Sequence, residues 1–178
     1  MKNTLLDLQL LQCDAKISKD KHFTAAERKS SYNKKLGVSV ILINVLIGST
    51  LIEYFPEGFG KQLFISAISF FAASFAAIQT FFNFSKDVEN HRKIGNGYLE
   101  VVREIDRLIA SFYDGLTSEK SIQNSHDKLI QKYFKINKEA EVCPNAPSDY
   151  QKAFKKNKDT KESLIKLKEQ RQQLEVEA

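Results

Sequence analysis

Few side chains in this sequence have the type and spacing to do covalent chemistry. The histidines are His22, His91 and His126, and none has metal-ligand spacing to another histidine, a cysteine or a carboxylate pair. Cys13 and Cys143 lie far apart and form no CxxC pair, so each reads as a free structural thiol. There is no GxSxG elbow, no P-loop and no phosphate-cradling glycine run after a strand. No catalytic residue, cofactor site or metal site is therefore expected, and the chain does not read as an enzyme. His126 sits at a 3–4 spaced apolar position, which suits a hydrogen-bonded core histidine.

The chemistry that remains is hydrogen bonding inside an apolar run. Residues 62–85 carry no charge over 24 positions, and Ser66, Ser69, Ala73, Ala76, Thr80 and Asn83 recur there at spacings of 3, 4, 3, 4 and 3. On a helix that spacing makes one stripe of small or weakly polar residues, with Phe64, Phe71, Phe75, Ile78 and Phe82 on the other side. In lipid no hydrophobic force draws helices together, so a small stripe marks where backbones can approach closely. Two uses remain open: packing of two helices within one chain, against Gly37, Asn44 and Gly48, or the lining of a pore in an oligomer. Gln79 and Asn44 are amides that are costly to leave in hydrocarbon and should face other helices or water.

The elements that position this stripe follow from length and composition. Twenty-four residues at about 1.5 Å each give a helix of roughly 36 Å, more than the roughly 30 Å apolar core of a bilayer. A soluble chain of 178 residues has little room to bury such a helix on every side. Leu36 to Ile52 is a second, weaker run of 17 uncharged residues. The connector "EYFPEGFGK" supplies Pro56, Gly58 and Gly60 for a turn, so the two runs read as a membrane hairpin.

Charge gives this hairpin an orientation. Residues 1–35 hold eight Lys or Arg, the connector holds only Lys61, and Lys86, Arg92 and Lys93 follow the second run. Basic residues favour the cytoplasmic side, which places both termini in the cytoplasm and residues 56–61 outside. The net charge of +5 is then mainly an orientation signal; no nucleic-acid partner is expected, because basic and acidic residues are mixed after the hairpin.

The flanking segments read as helical. "TLLDLQLLQC" is too interrupted for a signal peptide and suits a short amphipathic helix, while Thr24 to Glu27 resembles a capping box opening a basic helix. Ile94, Tyr98, Val101, Ile105, Leu108 and Phe112 form a coiled-coil-like seam, expected to hold the cytoplasmic helices together and support self-association. After the break at "DGLTSEKS", Ile122, His126, Leu129, Tyr133 and Ile136 repeat the pattern. Gly95 and Gly97 suit a hinge, a kink or close helix packing. A capping box at Ser148–Gln151 follows the linker "CPNAPSDYQ", and the Lys-rich tail reads as a frayed helix or mobile end.

The expected fold is all-α: cytoplasmic N-terminal helices in 1–35, a transmembrane hairpin in 36–85 with spans 36–55 and 62–85, a cytoplasmic helical region in 86–142, and a linker with a tail helix in 143–178. A basic helix, two closely spaced membrane helices and a long helix beginning "FSKDVENHRKIGNGYLEVVREID" make this layout resemble the SLATT family over roughly residues 15–140. These are two-transmembrane effectors found with bacterial nucleotide-signal synthases and related defence systems. The matching positions are Asn83, Phe84, His91, Tyr98 and the Arg103–Glu104 pair. The resemblance implies an inner-membrane effector that oligomerises and permeabilises the membrane when a partner, such as a nucleotide-signal synthase, reports infection. A membrane-anchored adaptor, whose cytoplasmic helices dock a partner while the hairpin only tethers, is the competing class.

Overall fold

The computed structural model describes residues 2–49, 54 and 56–176, and among these the regular elements are all helices. They are α1 (Lys2–Gly48), α2 (Phe59–Phe82), α3 (Phe84–Tyr113), α4 (Glu119–Ala140), α5 (Pro147–Lys156) and α6 (Lys158–Val176). The end of the first membrane run, expected at residue 55, lies outside the described residues.

α1 is one helix of 47 residues, so no helix begins at Thr24. A capping box matters only where the chain before it leaves the helix. Here Ala25 and Ala26 are 0% and 2% exposed, and their burial rewards an uninterrupted helix through this point. α2 begins at Phe59, three residues before the expected 62, and is followed by Asn83 in the left-handed conformation (φ 41°, ψ 51°). Asparagine tolerates that region better than most residues. Its backbone carbonyl accepts from the N–H groups of Lys86 at 3.0 Å and Asp87 at 3.3 Å, so this one residue closes α2 and opens α3.

The helices form two compact units: residues up to Ala26 together with those from Glu89 onward, and residues 27–88. The first, here the helical unit, has a core of Leu8 and Ala15 from α1, Ile94, Tyr98, Val101, Val102 and Ile105 from α3, and Ile122, Leu129 and Ile136 from α4. α3 ends in a Schellman motif, with Leu116 N–H donating to Ser111 O (2.9 Å), Gly115 N–H to Phe112 O (3.0 Å), and Gly115 at φ +72°. Ser118 then caps α4 by accepting from Ser121 N–H at 3.4 Å.

The two glycines of "GNG" serve close packing. α3 is continuous through them. A Cβ at Gly95 would stand 3.0, 3.1 and 3.3 Å from ring carbons of Phe23 on α1, and one at Gly97 would stand 3.3 Å from two side-chain carbons of Ile136 on α4.

The tail is ordered into helices and docked. α5 starts with Pro147 at its first position and Asp149 accepting from the Ala146 N–H at 2.8 Å, so the cap is Ala146 and not the expected Ser148. Proline's fixed φ draws the start forward. Ala153 and Asp149 are 0% and 1% exposed. Asp20 of α1 accepts from Asn157 (2.6 Å) and pairs with Lys156 (3.3 Å), while Arg171 of α6 pairs with Asp7 (2.9 Å).

Candidate functional site

The second unit pairs α1 from residue 27 onward with α2. Its polar contacts lie at one end: Lys29 pairs with Asp87 and the Asn33 amide donates to Ser85 Oγ (3.1 Å), both at the start of α3, while the Gln79 amide of α2 donates to Asn33 Oδ1 (2.8 Å) and ties α2 to α1. Gly37 faces Gln79: a Cβ there would stand 3.5 Å from its amide nitrogen, an ordinary contact distance. Farther along, Val40, Ile43 and Ile47 of α1 and Ile68 and Phe75 of α2 are half-buried and Ala72 is buried, which marks the faces the two helices turn to each other.

The face that α2 turns toward α1 is thus Ile65, Ile68, Ala72, Phe75 and Gln79. It is rotated by roughly 90° from the stripe read from the sequence, at about 100° per residue. Ser66, Ser69, Ala73, Ala76 and Thr80 are all exposed, and Asn83 lies in the turn past the helix. On α1, Asn44 and Gly48 are exposed too, with nothing within 4 Å of a Cβ built at Gly48. Of the intrachain packing that the sequence left open, only Gly37 takes part. Both faces of α2 have the same 3–4 spacing, so periodicity alone could not say which one meets α1. Asn33, the partner of Gln79, was the residue that sequence reasoning missed; an amide just before an apolar run is the signal that was available.

Two hydroxyls turn back on their own helix: Thr80 Oγ1 donates to Ala76 O at 2.9 Å and Ser74 Oγ to Phe70 O at 2.8 Å. Such bonds let a hydroxyl sit in lipid at little cost. What the exposed stripe offers is chiefly small size. Within the helical run that begins at Phe59, the most apolar window averages a hydropathy of 1.7 and is only 6% buried in the chain. A core helix of a soluble protein would be covered; this one requires a different apolar environment. Phe70, Phe71, Phe81 and Phe82 are 69, 55, 83 and 54% exposed, as rings facing acyl chains would be.

The seam on α3 has another fate. Ile94, Tyr98, Val101 and Ile105 are buried in the helical unit's own core, with Leu108 and Phe112 packed partly buried against it. α1 and α4 supply the apolar partners that a neighbouring chain would otherwise provide. Within one chain this seam is occupied, while the large apolar residues left exposed include Val38, Ile41, Leu42 and Val45 of α1 as well as the phenylalanines of α2. Of the remaining positions named from the sequence, Glu104 holds Lys132 of α4 at 2.7 Å, with Glu100 at 2.9 Å.

His91 and Tyr98 come together with His22, a partner the sequence did not reveal. The Nδ1 atoms of His22 and His91 are 3.0 Å apart, and the His22 and Tyr98 ring centroids are 5.8 Å apart. Tyr98 donates to Asn137 Oδ1 at 2.6 Å, and burial raises its hydroxyl far above the usual phenol range. Burial, then the neighbouring His91 and Lys21, hold the His22 imidazole down to about 4. Among the described residues, no three His, Cys, Asp or Glu side chains gather to hold a metal ion.

Comparison with known proteins adds one match. A family model described as "SMODS and SLOG-associating 2TM effector domain family 4" matches residues 16–169. No curated protein and no solved structure matches the chain.

Proposed function

The chain belongs to the SMODS and SLOG-associating 2TM effector domain family, and from that premise we propose that it is an oligomeric inner-membrane effector that permeabilises the membrane in a bacterial antiphage defence system. The observation that carries this reading is the stripe Ser66, Ser69, Ala73, Ala76 and Thr80, which remains exposed after the hairpin has packed. Small residues on a bilayer-exposed face allow helices of neighbouring copies to approach closely, which is the main source of association between helices in lipid. Assembled through this stripe, the copies bring the Ser66 and Ser69 hydroxyls to the interior of a bundle, where they line a water path, and leave the phenylalanines to the acyl chains. The basic residues that flank the hairpin favour a topology with both termini cytoplasmic. The helical unit, closed on its own core, then meets the activating partner, a nucleotide-signal synthase or another component of the same system, on the cytoplasmic side.

The test is dye release and ion leakage from liposomes reconstituted with the purified chain. Wild type should leak, and Ala73→Leu with Ala76→Leu should abolish leakage while the protein stays inserted. A simple tether predicts the opposite, because any apolar helix of that length anchors equally well. Equal behaviour of wild type, the double leucine variant and a variant with residues 63–84 replaced by a Leu and Ala helix would replace the pore reading with that of a membrane-anchored adaptor.

A further inference from the structure

The helical unit holds a buried polar cluster that a membrane pore does not use. His22 of α1 and His91 of α3 are 2% and 0% exposed. At 3.0 Å their Nδ1 atoms must share one proton, since two N–H groups would repel and two lone pairs would not bond. The other ring nitrogen of His22, Nε2, faces the Asn145 amide nitrogen at 3.3 Å, in the segment between α4 and α5. An amide nitrogen only donates, so Nε2 is the lone-pair nitrogen and the proton sits on Nδ1. A single assignment satisfies the series: Asn145 donates to His22, and His22 donates to His91. It requires a neutral ring. The other end of the Asn145 amide, Oδ1, is buried with no hydrogen-bond partner among the described residues, so the bond to His22 is what holds this side chain there.

We propose that the His22–His91–Asn145 cluster is a proton-binding site whose occupation releases the segment joining α4 to α5. A proton from solvent bonds to the Nε2 lone pair, and the ring goes from neutral to a charge of +1. Nε2 then presents N–H to N–H at Asn145, and a cation lies where water does not reach. A half-turn of the Asn145 amide can bring its oxygen to the new N–H and relieve the first strain in place, but the buried cation remains, and it is relieved when Asn145 and its segment move away and let water in. The charged and titratable groups around the ring set the balance: Lys21 on α1 opposes the charge, as does His91 on α3; Asp149 on α5, which is 1% exposed, favours it. Tyr98 on α3, Tyr133 of α4 with its ring tilted against Tyr98, and Tyr150 on α5 under Lys21 complete the surroundings. In the opened arrangement the solvated ring titrates near its ordinary value, so acidification draws the population toward that arrangement. This inference depends on the helical unit alone and stands whether or not the hairpin forms a pore.

The full chain contains only three histidines, so selective labelling of their ring nitrogens in detergent micelles gives a readable spectrum. At about pH 7 the His22 ring should show the proton on Nδ1. Hydrogen-exchange protection across residues 141–149, corrected for intrinsic rate, should fall at least about tenfold between about pH 7 and about pH 5. A proton on Nε2 instead, or protection that does not change, overturns the proposal. Asn145→Asp places a carboxylate of the same shape against Nε2, so it should raise the His22 midpoint by at least about one unit and keep the segment protected in acid. An unmoved midpoint in that variant also overturns it. The wild-type measurements decide by themselves if the variant does not fold.

Discussion

Replacing Gly95 by alanine sets two effects of similar size against each other. Alanine in place of a mid-helix glycine stabilises a helix by about 1 kcal/mol. The new Cβ, however, would lie 3.0, 3.1 and 3.3 Å from three carbons of the Phe23 ring. Carbon pairs are content at about 3.5–4.0 Å, so the ring must retreat by about half an ångström. Phe23 is half-buried, and overpacking of that kind costs about 1–3 kcal/mol. The net expectation for Gly95→Ala is a loss of about 0–2 kcal/mol. Gly97→Ala is the internal control, because its nearest contacts are Cδ1 and Cγ1 of Ile136 at 3.3 Å, where a few tenths of an ångström suffice. It should be neutral or stabilising by up to about 1 kcal/mol. Thermal unfolding in detergent, followed by the helical circular dichroism signal, ranks the two variants against wild type. Adding Phe23→Leu should recover part of the loss in Gly95→Ala and not in Gly97→Ala, a coupling that a double-mutant cycle measures. If Gly95→Ala melted clearly above wild type, or Phe23→Leu recovered nothing in it, Phe23 would not be what requires the glycine, and the close-packing account of α1 on α3 would fail.

The hairpin face and the stripe should separate cleanly: Ala72→Leu, at a site 7% exposed, should destabilise the hairpin by about 1–3 kcal/mol, whereas Ala73→Leu should leave the single chain within about 0.5 kcal/mol and alter only assembly, as read by crosslinking and melting in micelles. Stability should fall in acid, because the His22 pKa is held down to about 4 in the folded chain against 6.5 when solvated. The contribution is present above about 6.5 and is lost progressively as pH drops toward about 4, by about 3 kcal/mol in all. His22→Gln should flatten that slope in melts recorded across the range. For topology, cysteine at Glu57 should react with an impermeant thiol reagent on intact cells while cysteine at Tyr150 stays protected, and the reverse pattern would invert the proposed orientation.

Features fixed by local chemistry were legible in the sequence, and features fixed by contact at a distance were not. The apolar run of α2, the break at Gly115 and the 3–4 spacing along α3 and α4 are properties of consecutive residues. The continuity of α1 was hidden because "TAAE" carries a start signal that burial of Ala25 and Ala26 overrides. The docked tail depends on Asp20 meeting Asn157 and Lys156 across more than 130 positions, and the imidazole pair spans 69. No window of residues displays such pairings. Nor could the sequence choose between the two faces of α2, since an identical period describes both.

The Gln79–Asn33–Ser85 ladder has a further consequence for any motion of the hairpin. Sliding α2 along α1 by one helical turn, about 5.4 Å, would pull the Gln79 amide away from Asn33 and break the bond that joins the two helices. The ladder therefore works as a detent: it leaves the two helices free to tilt or turn as a pair and resists translation of one past the other. A ratchet along the membrane normal is the conformational change this hairpin is least suited to make, and recruitment of further copies around an unchanged pair is the one it accommodates without breaking a bond.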